Sequence, residues 1–430
     1  MTALRRPQHL GGGRGPTYKW WLVALLVGVG AFNYCDRAAI ASVLPLVRAD
    51  LKMSDVELAG IGSCFLWAYG LASPLGGLLA DRQSRSRLIV LTLVAESLLT
   101  LATGLVTNAH QLLFVRALLG LVEAFYIPAA TALIADYHFS ATRAKAIGFH
   151  NAGLELGLIV GGAAAGFIGN RYGWRIGFVS LGLAGMLFAA LAQVGLSDRT
   201  PPAGRLPGAP RPPVLAGLAV VLRSPSSLLI ILAGVMTGIG NNIFMNWFPL
   251  YFTETYRMSL ARASFSGTFV LYSSGMAGIV LGSMFSDRFA GHLPRRRLLI
   301  AIVATLLSSP FLLVFVSARP GLILLNACIF CFSFLLYFGD CNTTPLLCDL
   351  LPNRVRSTAF GFQNAANCVT GGVGVLIAGL LKSRLGLGGV FGGLTVITFL
   401  GGLIYVSTAF FLKRDLAKRA EAEAAETAPA

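Results

Sequence analysis

The stretch GGLLADRQSRSR at residues 76–87 separates two long apolar runs, and a weaker copy, GSMFSDR, returns at residues 282–288. The glycine, aspartate and arginine of the two copies keep one offset of 206 residues. A second pair, RAKAIGFHNA at 143–152 and RSTAFGFQNA at 356–365, repeats at an offset of 213. Repeats that align loop and helix together indicate a duplicated unit, and duplicated helical halves characterise secondary transporters.

The composition is that of a chain embedded in a lipid bilayer. Of its 430 residues 55% are hydrophobic and only 12% are charged, far too few to cover a soluble protein of this length. The net charge of +16 comes from basic clusters between apolar runs, which is the pattern of cytoplasmic loops, so we exclude a nucleic-acid partner. All seven cysteines lie in apolar stretches, which argues against a disulfide framework. We expect no metal and no cofactor.

The apolar runs predict an all-α membrane protein of twelve transmembrane helices in two pseudo-symmetric six-helix bundles. A spanning helix needs roughly 20 mostly apolar residues, because lipid cannot satisfy free backbone groups. The predicted spans are 19–47, 55–80, 87–107, 110–138, 143–170, 174–196, 226–254, 260–288, 296–317, 320–350, 355–384 and 388–413.

The polar segments divide the chain further. TPPAGRLPGAPRPP at 200–213 holds six prolines and is predicted to be an exposed linker, and the acidic stretch EAEAAE at 421–426 is predicted to be disordered. The predicted organisation is a cytoplasmic tail at 1–18, a first bundle at 19–197, a cytoplasmic linker at 198–225, a second bundle at 226–413 and a cytoplasmic tail at 414–430.

The distribution of basic residues predicts the orientation. With both termini placed in the cytoplasm, the inner segments hold 23 lysines and arginines and the outer loops hold 9. Cytoplasmic loops carry such an excess of positive charge. We therefore expect a multi-pass protein of the cell membrane with both termini in the cytoplasm.

Seven ionisable side chains fall well inside the spans, where each costs a few kcal/mol if it faces lipid. They must pair with one another or line water. Arg116 and Glu123 are seven residues apart and therefore share one face of a helix, whereas the adjacent Asp36 and Arg37 diverge by about 100°. The seven are Asp36, Arg37, Glu96, Arg116, Glu123, Glu155 and Asp340.

The stretch at 76–87 resembles the loop between the second and third helices of the major facilitator superfamily. Ser84 and Ser86 depart from the glycine and the basic residue that are usual in that loop, and the second copy at 282–288 is weaker. The resemblance implies two six-helix bundles that transport a solute. The residues that match the motif are Gly77, Asp81, Arg82, Arg85 and Arg87.

Within the superfamily, five segments are similar to the first, second, fourth, seventh and eleventh helices of the anion:cation symporters. The spinster-like lipid transporters share the Asn-Tyr-x-Asp-Arg element and a Gly-x-Glu-Ala element, which appears here as LVEA. The five segments are FNYCDRAAIASVLP (32–45), CFLWAYGLASPLGGLLADR (64–82), RALLGLVEAFYIPAA (116–130), FMNWFPLYF (244–252) and GFQNAANCVTGG (361–372).

In the resembled symporters a first-helix arginine and a fourth-helix glutamate lie at the substrate and proton site. The matching residues are Arg37 and Glu123, with Asp36 and Arg116 as their partners. A guanidinium stays charged and can hold a carboxylate bidentately, so a substrate anion and an internal carboxylate can compete for it. A proton taken up by the displaced carboxyl would couple the two fluxes. This mechanism requires both arginines to reach an aqueous vestibule.

Polar and aromatic side chains are candidates for completing the pocket, although helix packing accounts for them as well. With Arg37 and Arg116, the candidates for substrate binding are Tyr34, Trp67, Tyr69, Tyr126, Asn241, Asn242, Gln363, Asn364 and Asn367. The candidates for proton coupling are Asp36, Glu123, Glu155 and Asp340. Packing is the favoured interpretation of Glu96.

The loop motifs are predicted to latch the cytoplasmic gate. By resemblance, Asp81 would face the N-terminus of the eleventh helix, where free N–H groups favour negative charge. A solvated loop face is the alternative interpretation. The candidates for gating are Gly77, Asp81, Arg82, Arg85, Asp136, Arg143, Asp287 and Arg288.

These features predict a monomeric secondary transporter that carries a small organic anion, such as a sugar acid or another carboxylate, together with protons. Sodium stays open as the coupling ion. The alternatives are a spinster-like transporter of lipid or amphiphile, an efflux exchanger and, more distantly, a membrane sensor; no catalytic motif indicates an enzyme. A compact polar cavity would favour the organic anion, and an apolar cavity that opens sideways would favour the amphiphile.

Overall fold

The structure is a computed structural model that describes residues 17–138, 140–198, 214–290, 293–317, 319–352 and 355–427. Within these ranges it is built of helices, which confirms the predicted all-α fold. In chain order they are α1 (Tyr18–Leu51), α2 (Asp55–Arg82), α3 (Arg85–Thr103), α4 (Ala109–Glu123), α5 (Tyr126–Tyr137), α6 (Ser140–Tyr172), α7 (Trp174–Gly195), α8 (Val214–Leu222), α9 (Pro225–Tyr256), α10 (Leu260–Phe289), α11 (Pro294–Ser308) with a 3-10 segment (Ser309–Val316), α12 (Leu322–Asp340), α13 (Thr343–Leu350) and α14 (Arg356–Thr427).

The described residues form eleven continuous segments that are long and apolar enough to cross a membrane. The last segment lies in α14, which Gly386 interrupts with a φ of 64° and a ψ of 169°. That backbone conformation is essentially restricted to glycine. Because the interruption falls between the predicted spans 355–384 and 388–413, α14 supplies two of the twelve predicted crossings.

The fourth and tenth spans are each broken into two helices. The sequence predicts one span over 110–138 and one over 320–350. The break between α4 and α5 follows Glu123, and the break between α12 and α13 follows Asp340. Pro128 and Pro345 are each the third residue of the segment after the break. Because proline lacks the N–H that would bond back across the break, it favours an interruption there. Each break leaves an acidic residue at the end of a helix.

Equivalent contacts recur in the two halves. Arg143 donates a hydrogen bond from Nε to the carbonyl oxygen of His138 at 3.1 Å, and Arg356 donates from Nε to that of Leu351 at 3.1 Å. The two pairs are related by the offset of 213 residues found in the sequence. This shared geometry supports the duplication of a six-helix unit.

The halves meet along two helix pairs, α2 with α14 and α6 with α10. Small residues let the backbones approach closely at both places. A Cβ added to Gly166 would lie 2.6 Å from the hydroxyl of Ser264, and one added to Gly379 would lie 2.8 Å from the carbonyl oxygen of Asp55. Gly166 and Gly379 are also related by the offset of 213, so the two interfaces are built alike.

Two segments differ from the predicted organisation. The helix α8 occupies 214–222, inside the predicted linker, whereas the proline-rich stretch 200–213 lies outside the described residues. At the other end, α14 continues to Thr427, across the acidic stretch predicted to be disordered. Alanine and glutamate have high helix propensity, which favours this continuation.

Four charged side chains cross-link the halves where α1 ends and α2 begins. The Nζ atom of Lys382 lies 2.9 Å from Oδ1 of Asp55 and 2.8 Å from Oε1 of Glu254. The Nη1 atom of Arg48 lies 3.3 and 3.4 Å from the same two oxygens. Each cation thus bridges one carboxylate of the first half and one of the second. We call these four residues the end cluster.

The opposite end of the bundle, where α2 and α10 reach the loop motifs at 76–87 and 282–288, is more open. Residues 361–367, at the start of α14, are only partly buried. The end cluster therefore closes one end of the bundle. We call the partly buried surface towards the other end, which includes Tyr34 and Arg37 on α1 and residues 361–367 on α14, the vestibule.

We expect Lys382→Met to open the closed end, because Asp55 and Glu254 then repel each other with only Arg48 between them. Spin labels on Val56→Cys and Ser383→Cys, which lie on opposite halves, would report the change as a new population at longer distance. Arg384→Met is the control, because Arg384 is an exposed basic residue nearby that lies outside the end cluster. An unchanged distance distribution in Lys382→Met would contradict a closing role for the cluster.

Candidate functional site

The central ion pair joins α1 to the end of α4. Arg37 donates a hydrogen bond from Nε to Oε2 of Glu123 at 2.7 Å, and the two side chains are 10% and 0% exposed. The pair is not bidentate: Nη2 of Arg37 and Oε1 of Glu123 have no hydrogen-bond partner among the residues described. Arg37 therefore keeps a buried donor that an anion could use.

Three aromatic rings surround the guanidinium of Arg37. Its central carbon lies 4.4 Å from the ring centre of Tyr34, 4.8 Å from that of Phe65 and 4.7 Å from that of Tyr69. Ring faces attract cations at these distances, so the aromatic residues hold the guanidinium in place. Tyr34 and Tyr69 were predicted at this site. Phe65 was not, because one phenylalanine among 28 in an apolar sequence gives no signal.

A second ion pair lies beside the first. Arg116 Nη1 donates to Oδ2 of Asp36 at 2.5 Å, and Thr100 donates from its hydroxyl to Oδ1 of Asp36 at 3.2 Å. The side chains of Arg116 and Asp36 are 2% and 1% exposed, and the ring of Phe65 covers Arg116 at 5.1 Å. Arg116 and Glu123 lie on one face of α4, as predicted. Arg116 pairs with Asp36 on α1, and Glu123 pairs with Arg37 on α1.

This burial corrects the prediction that both arginines reach the vestibule. Arg116 is sealed among protein atoms, because Asp36 neutralises it and Phe65 covers it, so it does not bind substrate in this conformation. The competition mechanism in its predicted form, with both arginines at the vestibule, is therefore wrong for this conformation, and only Arg37 is left to bind an anion.

The opposite wall of the vestibule carries carboxyl groups rather than cations. Glu155 on α6 is partly buried and interacts electrostatically with Tyr34, Tyr272 and Tyr337. Asp340, the last residue of α12, is exposed. Neither carboxyl has an ion-pair partner among the described residues.

The predicted polar pocket is only partly assembled. Tyr337 donates its hydroxyl to Oδ1 of Asn241 at 3.1 Å, which places Asn241 towards α12 and the carboxyl-bearing wall. Asn242 donates to the carbonyl oxygen of Gly238 in its own helix at 2.9 Å, and Asn367 packs directly against Gly238. Asn242 and Asn367 therefore lie in the contact between α9 and α14.

Two other predicted residues tie α2 to α14 across the interface of the halves. Trp67 donates from Nε1 to the carbonyl oxygen of Val369 at 3.1 Å, and Asn364 donates from Nδ2 to the hydroxyl of Ser73 at 2.9 Å. Gln363, one residue earlier, is partly buried. Trp67 and Asn364 therefore lie at the interface between the two halves.

Tyr126 lies away from the vestibule. It is 1% exposed, and its hydroxyl lies 2.9 Å from both the carbonyl oxygen of Leu26 and Nε2 of His150. The prediction that Tyr126 lines the pocket is therefore corrected: its hydroxyl is used to join α5 to α1 and α6. The sequence placed it on the right helix but could not show which way the segment after the break faces.

The predicted gating residues form local contacts. Arg85 pairs with Asp136 and also donates to the carbonyl oxygen of Ala132 at 2.7 Å, which ties the start of α3 to the end of α5. In the second half, Asp287 accepts from Nη2 of Arg297 at 3.1 Å. Arg288 is exposed, and the Nε of Arg143 bonds within its own half as described above. Gly77, Asp81 and Arg82 lie in α2, but their side-chain surroundings are outside the described residues.

An apolar groove lies apart from the ion pairs, between α9 and α14. Its volume is about 430 Å³, and its lining includes Ile243, Ile377, Leu381 and Leu394. No charged residue lines it. The molecule thus has a polar vestibule around Arg37 and a separate apolar groove in the second half.

Comparison with known proteins identifies the architecture. The family model described as Major Facilitator Superfamily matches residues 26–375, more than half of the chain. The chain belongs to this superfamily. The resemblance seen in the loop motif is confirmed, and the protein is a multi-pass membrane transporter rather than an enzyme.

Its similarities within the Major Facilitator Superfamily point in two directions. The chain is 25% identical to the Hexuronate transporter of Bacillus subtilis, over 90% of this chain and 94% of that one. It is 27% identical to Protein spinster homolog 1 of Homo sapiens, over 94% of this chain and 83% of that one. A crystal structure of a bacterial homologue of the human lysosomal transporter Spinster matches with a TM-score of 0.79 at 18% identity and covers 94% of this chain and 99% of that one, which shows the shared fold.

Asp36→Asn should destabilise the protein, because it leaves the guanidinium of Arg116 buried without a counter-charge. Removing one partner of a buried ion pair costs about 3–5 kcal/mol. The measurement is the Tm of the purified protein in detergent. Glu155→Gln removes a carboxyl that has no ion pair and should change the Tm little, and adding Arg116→Gln to Asp36→Asn should recover part of the loss. An Asp36→Asn variant as stable as the parent would contradict the structural role of this pair.

Proposed function

We propose that this transporter carries a small organic anion together with a proton by alternating access. The observation that supports this proposal best is the single hydrogen bond between Arg37 and Glu123 at the vestibule, with one guanidinium N–H group left unpaired. A sugar acid or a similar carboxylate is the substrate class that matches this donor. The relative named a hexuronate transporter is consistent with that class.

The coupling follows from competition for one guanidinium. A substrate carboxylate that binds Arg37 displaces Glu123, which is then a buried carboxylate without a counter-charge. Such a group is costly until it takes up a proton. When the substrate leaves, Glu123 releases the proton and returns to Arg37. The anion and the proton therefore move together.

The other predicted residues have supporting roles in this proposal. Tyr34 and Tyr69 hold Arg37 in place, and Asn241, Gln363 and Asn364 can bond substrate hydroxyls. Glu155 and Asp340 are further proton acceptors on the opposite wall. Oxygen ligands also suit sodium, so the dependence of uptake on each ion decides between the two. We place the protein in the cell membrane as a monomer.

The basic residues set the direction of the vestibule. With both termini in the cytoplasm, as the charge distribution predicts, the end cluster lies outside and the vestibule opens inward. The state described is then the one from which substrate is released into the cell. Arg37 makes one hydrogen bond to Glu123, so in this step it can exchange the substrate for Glu123.

Arg37→Ala should reduce uptake of radiolabelled D-glucuronate into proteoliposomes more than about tenfold, because each hydrogen bond to a charged group contributes about 1.5–3 kcal/mol. A pH gradient, acidic outside, drives the uptake. Arg384→Ala is the matched control, because it removes an exposed arginine near the closed end. Uptake at the parent rate in Arg37→Ala, with equal protein in the membrane, would contradict anion binding by Arg37.

Glu123→Gln should stop accumulation against a gradient but allow exchange of internal for external D-glucuronate. The glutamine cannot bind the coupling proton, yet it leaves Arg37 free to bind the anion. Counterflow and gradient-driven uptake are measured on the same vesicles. Gradient-driven accumulation by Glu123→Gln would show that Glu123 does not carry the coupled proton.

A spinster-like transport of amphiphiles is the second candidate, and the apolar groove between α9 and α14 favours it. The groove could take an acyl chain while Arg37 holds an anionic headgroup. Ile377→Trp, which fills the groove, would then block transport of a radiolabelled lysophospholipid. If D-glucuronate is transported and the lysophospholipid is not, the groove is a site for membrane lipid only.

A further inference from the structure

Glu96 on α3 is a buried carboxyl with very little to stabilise a charge. It is 1% exposed, and its Oε2 accepts one hydrogen bond, from Nδ2 of Asn33 at 3.0 Å. Its Oε1 has no hydrogen-bond partner among the described residues, and neither has Oδ1 of the fully buried Asn33. An ionised carboxylate held by one neutral donor at this depth costs several kcal/mol.

The two nearby cations are already neutralised. Arg37 is bonded to Glu123, and Arg116 is bonded to Asp36. A hydrogen bond from a guanidinium stabilises the ionised form of a carboxyl, so Glu123 and Asp36 are both held as carboxylates. Glu96 has no hydrogen bond or ion pair to either arginine in the part of the chain that is described.

The charges of this group leave room for one proton. Three carboxyls and two guanidinium groups carry a net charge of −1 if all are ionised, and a single proton makes the group neutral. We propose that Glu96 is a proton-binding site and holds this proton in the conformation described, while Glu123 is ionised. As an acid, Glu96 can donate to the amide oxygen of Asn33 or accept from its nitrogen, so the bond to Asn33 remains possible.

The surroundings of Glu96 contain no other group that could neutralise it. On α2, Tyr69 faces Arg37, and on α7 the titratable side chain is Arg175, which donates to the carbonyl oxygen of Val106 at the far end of α3. On the remaining neighbours α1, α4 and α5, the titratable groups that interact electrostatically with Glu96 are Cys35, Asp36, Arg37, Glu123 and Tyr126.

A neutral Glu96 sets the charge balance when an anion and a proton bind together. This consequence rests on the proposed function. The group is neutral with the proton on Glu96. When a monoanion binds Arg37 and frees Glu123, one further proton on Glu123 restores neutrality, so each monoanion brings one proton. If Glu96 were ionised instead, the group would carry a charge of −1 before binding, and one proton on Glu123 would restore only that charge and not neutrality.

Infrared spectroscopy of the substrate-free protein in lipid tests the proposal directly. The spectrum of each variant is subtracted from that of the parent. A neutral carboxyl has a C=O stretching band that an ionised carboxylate lacks. We expect the parent to show such a band, Glu96→Gln to lose it, and Glu96→Asp to shift it because the acid is retained in a new position. Glu155→Gln is the comparison variant and should leave the band in place, because Glu155 lies outside the group of three carboxyls and two guanidinium groups.

A band that survives in Glu96→Gln would overturn the assignment, and so would a band that disappears in Glu155→Gln or one that Glu96→Asp does not move. If Glu96→Gln fails to fold, the band shift in Glu96→Asp decides the question. Because these measurements need no substrate, they can succeed when the D-glucuronate experiments fail. Failure of proton coupling and failure of the Glu96 assignment are therefore distinguishable.

Discussion

The structure depends on one constraint, which is that a charge buried in an apolar bundle must be neutralised where it stands. In the pair of Asp36 and Arg116, at 1% and 2% exposure, both carboxylate oxygens of Asp36 accept a hydrogen bond, one from Arg116 and one from Thr100, and the pair fixes α1 to α4. Arg37 and Glu123 satisfy this constraint with one hydrogen bond only. The first pair can therefore act as a fixed support, whereas the second can exchange a partner at limited cost. The same helix carries both, seven residues apart.

The helix breaks place the chemistry in both halves. A polypeptide inside a membrane leaves helical geometry only where protein or a cavity covers the free backbone groups. Here the interruptions follow Glu123 in the first half and Asp340 in the second, and a proline stands at the same place after each. Each half thus carries an acidic residue at a helix end. The arginines occur in one half only, so the two ends are no longer equivalent.

Much of the architecture could be predicted from the sequence, because the length and polarity of apolar runs follow directly from bilayer thickness. The twelve spans, the duplication and the pairing of α1 with α4 all rest on such local patterns. The sealing of Arg116 could not be predicted, because it depends on how far Asp36 and Phe65 reach from other helices. The helix break before Tyr126 was also missed, since a proline near the middle of a span is compatible with a kink or an interruption. Asn242 and Asn367 were equally ambiguous, because an amide can bond a ligand or its own helix.

The end cluster makes the transporter sensitive to the salt concentration of the surrounding medium. Its four charges lie at the rim of the bundle, where Arg48 is 42% exposed and Glu254 is 38% exposed, so dissolved ions reach them. The Debye length falls from about 30 Å at 0.01 M salt to about 3 Å at 1 M. Concentrated electrolyte therefore weakens the clasp between the halves while leaving the buried pairs untouched. The balance between the two faces of the transport cycle should shift with the salinity of the surroundings.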